Sequence, residues 1–411
     1  MRRSVGALAA VALSPVVLLG PAERAFGAGP DHHGDDPSIT SVSNPRPELA
    51  SGGDILVRVT GIGGAPALAV DGRPSAAVPH AQPDGSWLAL VAGMPDGRHR
   101  ITATAGHRRA ELRVDSHSGN GPVFSGPQQL PFICQTEAFG LAPASPPACA
   151  APTTVSYLYK NTAGAFRPLA DPASRPADLA GATVGGRAVP YVVRLEQGTI
   201  DRAVYQLAAL YDGTDPAPWR PDTSWNRRLV YTFGGGCDAG FHQGTATGGV
   251  VNDLFLAQGY AVASSTLNVL NNNCSTIISA EAAMMVKEHF VEVYGPVAHT
   301  IGWGGSGGAI QQYDIADAYP GILDGIIPGV SFPDPFTTTG PVTDCRLFDT
   351  YFGAGGNGFT PAQQRAVSGF PSYDSCVFWD AAFANRITAT DSCDPSIPVA
   401  LRWDRSATRT V

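Results

Sequence analysis

The stretch Ile301-Gly302-Trp303-Gly304-Gly305-Ser306-Gly307-Gly308-Ala309-Ile310 sets a serine in a G-x-S-x-G box between a short apolar run and a helix-compatible one. On a sharp strand-to-helix turn a serine hydroxyl is exposed, and the N–H of the next residue, here Gly307, points where an oxyanion would form. The chemistry implied is attack of Ser306 on an acyl carbon. With 48 glycines in the chain, the box alone is weak; its place between strand and helix gives it weight. A second element agrees with it. Gly234-Gly235-Gly236 ends the apolar run Arg228–Phe233, two strands before the serine. Glycines there let the backbone approach a carbonyl and aim N–H groups at it, so Gly235 and Gly236 join Gly307 as candidate oxyanion donors. The competing reading is a tight turn that needs positive φ.

A serine hydroxyl is a poor nucleophile without a base to take its proton. None of the nine histidines lies among the 105 residues after Ser306. Upstream, His242 sits in the loop after the triple glycine and is the candidate base within the chain, with a loop or substrate-contact role as the alternative. His299 precedes the nucleophile strand and belongs at its far end, about 15 Å away for a strand of four or five residues. His289 falls near the end of a helix packed on the sheet, and both read as structural. The residues after Ser306 offer aspartates, including Asp334, Asp344, Asp349, Asp374, Asp380, Asp391, Asp394 and Asp404, as acids without a histidine to orient.

The elements that must hold these residues alternate between strand and helix from about residue 186 to 332, which is an α/β pattern. Pro190–Leu195 and Ala203–Ala208 read as paired antiparallel strands. Arg228–Phe233, Tyr260–Ser264, Thr300–Trp303 and Gly325–Pro328 read as the strands around the site. Val250–Gln258, Ile277–Tyr294 and Ala309–Ala318 read as helices. Earlier, residues 38–115 carry short strands punctuated by Gly52-Gly53, Asp71-Gly72, Asp84-Gly85 and Asp96-Gly97, the pattern of a small all-β, immunoglobulin-like sandwich. Residues 116–185, rich in Gly, Pro, Ala and Ser, read as a linker with irregular wrapping structure. Residues 333–411 read as a lid-like insertion.

Net charge of −8 and pI near 5.5 argue against a nucleic-acid partner. Arg2-Arg3, the apolar run Val5–Leu19 and Ala25-Phe26-Gly27 read as a secretory signal over residues 1–27, followed by an acidic leader over 28–37. His32-His33 in that leader reads as a solvated tail rather than a metal site. No later stretch reads as a membrane span. Export permits disulfides, and chain order makes Cys134 with Cys149 and Cys237 with Cys274 plausible pairs. The seventh cysteine is odd. No phosphate loop, dinucleotide fingerprint or spaced metal-ligand cluster occurs, so no cofactor or metal is expected.

Residues from about Arg228 to Phe332 resemble the α/β-hydrolase superfamily. Ser306-Gly307-Gly308, followed by Ala318-Tyr319-Pro320-Gly321-Ile322-Leu323-Asp324-Gly325-Ile326-Ile327-Pro328-Gly329, is similar to the tannase and feruloyl esterase branch. The whole chain looks like a family of secreted bacterial hydrolase-like proteins with a β-rich N-terminal module. The resemblance implies a secreted serine ester hydrolase acting on a phenolic ester or a polyester oligomer. It also implies the order nucleophile, acid, histidine. Because no histidine follows Ser306, the chain reads as an α/β-hydrolase sheet incomplete at its C-terminus, lacking acid and base. In the tannase branch a cysteine precedes the nucleophile, bonded near the catalytic histidine; in this chain Gly305 stands at that position. The alternative is a non-catalytic secreted binding protein built on an inactive hydrolase scaffold.

Overall fold

The computed structural model describes residues 36–220, 223–237, 240–331, 335–353 and 358–384. The signal and nearly all of the leader, Cys393, and Asp334, Asp391, Asp394 and Asp404 lie outside them.

Two sheets come first. Ser38–Ser41, Ile55–Thr60, Trp87–Val91 and His80–Ala81 form one; Ala50–Ser51, Arg108–His117, Gly97–Ala105, Ala67–Val70 and Arg73–Pro74 form the other. Ile55, Val57, Val59 and Val91 from the first meet Leu68, Ile101, Ala103 and Val114 from the second in one apolar cluster. The run Ile55-Leu56-Val57 does not alternate, because its sheet is covered on both faces. Leu56 and Leu88 point the other way, into the cluster of the larger unit.

That unit is built on eight strands, numbered within their own sheet. They are β1 (Thr154–Lys160), β2 (Phe166–Pro168), β3 (Val192–Ile200), β4 (Ala203–Leu210), β5 (Arg228–Thr232), β6 (Ala261–Ser265), β7 (His299–Gly305) and β8 (Gly325–Gly329). Their spatial order is β2-β1-β3-β4-β6-β5-β7-β8. The first four are antiparallel, whereas β6, β5, β7 and β8 run parallel. The linker reading of 116–185 is therefore corrected from residue 154 onward. Tyr157 and Tyr159 come from a stretch rich in β-branched and aromatic residues, and it pairs with β3 from Thr154↔Gln197 to Tyr159↔Val192.

Helix α1 (Asp253–Leu256) covers one face of the parallel strands. Helix α2 (Thr276–Tyr294) covers the other, capped by Ser275 at its start and by Gly295, φ 92°, at its end. Both faces are thus buried, so β5 and β6 read as near-continuous apolar runs. Helix α3 (Gly307–Ala318) links β7 to β8. After β8 come α4 (Pro335–Gly353), α5 (Pro361–Ser368) and α6 (Asp374–Phe383), with Cys345–Cys376 joining α4 to α6. Two more bonds join Cys134 to Cys149 and Cys237 to Cys274. None of the described helices is long and apolar enough to cross a membrane.

Candidate active site

From β5 the chain moves to β6 on one side and then to β7 on the other. The C-terminal ends of β5 and β7 therefore meet at a topological switch point, where open α/β sheets place their ligand crevice. Gly234 stands two residues after the end of β5, and Ser306 directly follows β7.

Ser306 adopts φ 57° and ψ −123°, a conformation that side-chain-bearing residues rarely hold. Three bonds fix it. Its N–H donates to the Gly329 carbonyl at 3.0 Å, and its own carbonyl accepts from Ala309 at 2.8 Å and Ile310 at 3.3 Å. The Ser306 side chain is half-buried rather than sealed. Because C=O and N–H of a trans peptide point in opposite directions, a Ser306 carbonyl aimed down α3 turns the Gly307 N–H out of the helix start.

The box glycines have separate steric reasons. A Cβ on Gly304 would stand 2.4 Å from the Phe233 carbonyl oxygen, and one on Gly308 2.6 Å from the same atom. A Cβ on Gly307 would stand 2.2 Å from the Gly236 carbonyl oxygen. The nucleophile turn and the triple-glycine loop are thus in backbone contact. From the loop's side, a Cβ on Gly235 would lie 3.4 Å from Ser306 Cβ, and Gly236 holds φ 88° against Asn271. Gly305 differs: a Cβ there would meet Gly329 O at 3.4 Å, ordinary contact. Gly235, Gly236, Ser306 and Gly307 form one locus.

Two buried amides hold it, and both escaped the sequence reading. Gln311 Nε2 donates to the Gly234 carbonyl at 2.9 Å and to the Gly307 carbonyl at 3.2 Å, while its Oε1 accepts from Ser279 Oγ at 2.6 Å. Gln312 Nε2 donates to Gly304 and Gly308 carbonyls at 3.0 and 2.8 Å, and its Oε1 accepts from the Ile327 N–H at 3.0 Å. Asn268 extends the network. Its Oδ1 accepts from Tyr231 and Ser265 at 2.7 and 2.6 Å, and its Nδ2 donates to the Ser279 carbonyl at 2.7 Å. The available signal was a Gln-Gln pair on a helix that starts at the box. Polar residues on a helix packed against a sheet need buried partners.

The histidines disperse. His242 follows the triple-glycine loop; its neighbours are pinned where Ile133 N donates to Phe241 O and Gln243 N to Ile133 O, each at 2.8 Å. Gln243 is fully buried and donates to the carbonyls of Cys149 and Arg202 at 3.0 and 2.9 Å. The segment around Cys134–Cys149 is thereby fastened to the site's rim. His299 opens β7, seven residues before Ser306, and the strand is longer than expected; at ~3.3 Å per residue the separation is about 23 Å. His289, on α2, bonds Glu196 Oε1 at 2.7 Å and the Tyr205 hydroxyl at 3.1 Å. Burial works against ionisation of Glu196, but His289 and Arg194 overcome it and hold the carboxyl at about 2. His80 stacks on Trp219 with ring centroids 3.8 Å apart.

Of the expected acids, Asp380 pairs with Arg346 at 3.2 Å and Asp349 accepts from Tyr373, both within the C-terminal helices. Among the described residues no group of three or more His, Cys, Asp or Glu side chains is arranged to hold a metal.

Among solved structures, a thermophilic PNB esterase aligns at 12% identity over 45% of this chain and 38% of its own, with a TM-score of 0.23. Tannin acyl hydrolase from Aspergillus niger aligns at 15% identity over 53% of this chain and 40% of its own, with a TM-score of 0.28. The matched part spans less than half the length of either protein. No curated protein matches the chain significantly. The sequence model of the Tannase-like family of unknown function (DUF6351) matches residues 39–410.

Proposed function

The chain belongs to the Tannase-like family of unknown function, and from that premise and the geometry at Ser306 we propose that it is a secreted serine ester hydrolase. Ser306 Oγ attacks the ester carbonyl carbon, and a C–O bond forms as the carbonyl electrons move to oxygen. The N–H groups of Gly307 and of Gly235 or Gly236 receive the oxyanion. Collapse expels the alcohol and leaves an acyl-serine, which water then hydrolyses. The Ser306 proton needs a base. Within the chain His242 is the candidate.

One observation carries the reading: Ser306 stands at a strained strand-to-helix turn in backbone contact with a glycine loop from the neighbouring strand. A phenolic ester or a polyester oligomer is the substrate class. Three disulfides support an oxidising, extracellular location. An immunoglobulin-like character for residues 38–115 and a lid role for residues after 333 belong to the same proposal. The test is covalent labelling with a fluorophosphonate probe. Wild-type chain is expected to be labelled and Ser306→Ala not; label that persists in Ser306→Ala removes the serine from its role.

His289 is engaged by Glu196 and Tyr205 and His299 lies at the far end of β7, which favours a second reading, a non-catalytic binding protein on an inactive scaffold. A wild-type chain that resists the probe while its fold is intact supports that alternative.

A further inference from the structure

Resting on the ester-hydrolase reading, we infer that Gln311 is a positioning residue that sets the direction of the oxyanion N–H groups. It touches neither the nucleophile's hydroxyl nor the place of the reacting carbonyl. It acts through the backbone of the triple-glycine loop.

The loop has little of its own to hold it. Glycines carry no side chain to pack, and their backbone samples both signs of φ. An oxyanion donor stabilises a transition state only when its direction is set beforehand, because reorienting it during the reaction costs the energy it supplies. Three hydrogen bonds to two of its carbonyls set this loop. Gly234 O accepts from Gln311 Nε2 at 2.9 Å and from the Leu270 N–H at 3.4 Å, and Gly235 O accepts from the Asn271 N–H at 3.0 Å. Across a planar trans peptide, pinning the Gly234 carbonyl toward Gln311 turns the Gly235 N–H to the opposite side of the loop. Pinning the Gly235 carbonyl toward Asn271 does the same for the Gly236 N–H.

Gln311 is the side chain that joins this loop to the nucleophile's own helix. The same Nε2 bonds Gly307 O at 3.2 Å, one residue after Ser306. Its two donors thus reference the two halves of the oxyanion site to each other. Its rotamer is itself locked: the side chain is 0% exposed, and Ser279 Oγ, held by Asn268, donates to Oε1. Gln312, equally buried, grips the nucleophile turn and β8 instead.

The test compares wild type, Gln311→Met and Gln311→Glu by the second-order rate of fluorophosphonate labelling and by kcat and KM on p-nitrophenyl acetate. Methionine fills the volume and donates nothing. Gln311→Met is expected to lower the labelling rate and kcat about 100-fold, the scale of a misplaced catalytic group, with KM little changed. Glutamate donates to Gly234 O only while protonated. Gln311→Glu is therefore expected to retain part of the activity at low pH and to lose it through an added limb as pH rises, a limb absent from wild type. Labelling of folded Gln311→Met at the wild-type rate, or a rise in KM alone, overturns the inference and leaves the ester-hydrolase reading standing. Should Gln311→Met fail to fold, a Gln311→Glu profile without the added limb overturns it. A wild-type chain that is never labelled overturns the reading and this inference together.

Discussion

At Ser306, φ 57° and ψ −123° put a side-chain-bearing residue where glycine is at ease. Such a residue stores about 1–3 kcal/mol, released if the Cβ is removed. Ser306→Gly and Ser306→Ala both lose the hydroxyl, yet Ser306→Gly is expected to be the more stable by about 1 kcal/mol in urea unfolding. At an ordinary helical position the order is reversed, since glycine there costs about 0.5–1 kcal/mol relative to alanine. Equal stabilities would mean that the turn is unstrained. The residue types at the site were legible from the chain: a hydroxyl flanked by glycines, and a triple glycine two strands earlier. The partners of Gln311 were not, because Gly234 and Ser279 are remote in sequence and their alignment depends on how α3 crosses β5 and α2.

Among the elements, α2 carries the most tension. It faces both the large sheet and the N-terminal sheets, so its acidic side chains have no route to water. Glu288, 1% exposed, accepts from Ser51 Oγ at 2.7 Å, from Ser51 N–H at 3.1 Å and from Asn44 Nδ2 at 3.4 Å. Desolvation outweighs these bonds and pushes Glu288 up to about 8, with the charge of Asp54 adding to the shift. Glu292, one turn on, is pushed up too, by burial and then by Glu288 and Asp54. The unfolded chain releases the Glu288 proton near its ordinary value of about 4.3, well before the folded chain does. Stability from this group is therefore present below that value and lost as pH rises toward 8. Glu196 runs the other way: held at about 2, it contributes above the usual carboxylate range and loses that contribution as pH falls toward 2. Glu288→Gln is expected to raise Tm by a few degrees at pH 8 and to flatten the decline between pH 5 and 8. A decline of unchanged slope in Glu288→Gln would place its origin elsewhere. Helix α2 was expected from periodicity over Ile277–Tyr294 and starts one residue earlier. The burial of its acids was hidden, since the pattern shows one apolar stripe but not what covers the opposite side.

For the molecule as a whole, the N-terminal sheets are part of the core rather than an attachment. Leu56 and Leu88, 0% and 1% exposed, share a cluster with Leu229, Tyr231, Met284 and Phe290 of the large unit. Glu281 on α2 grips the segment after them, accepting from the Val123 and Ser125 N–H groups at 2.9 and 2.7 Å. Deleting residues 38–117 uncovers one side of α2 and leaves Glu288 without its donors. The deleted chain is expected to bind a hydrophobic dye and to melt without a cooperative transition. A soluble product with a sharp transition would show that the two units fold independently.

Local chemistry was decided by the chain itself. Turn glycines, apolar runs and helical periodicity act over a few residues, and they announced the strand–turn–helix at Ser306, the strands around it and the mixed α/β class. Only the tertiary structure decided that β1 and β2 extend the sheet from a stretch that read as linker, that His289 turns to Glu196, and that Gln311 spans the two halves of the site. Each of these is a contact between segments far apart in sequence. No short-range pattern encodes it, because its energy exists only once the sheet has brought both partners out of water.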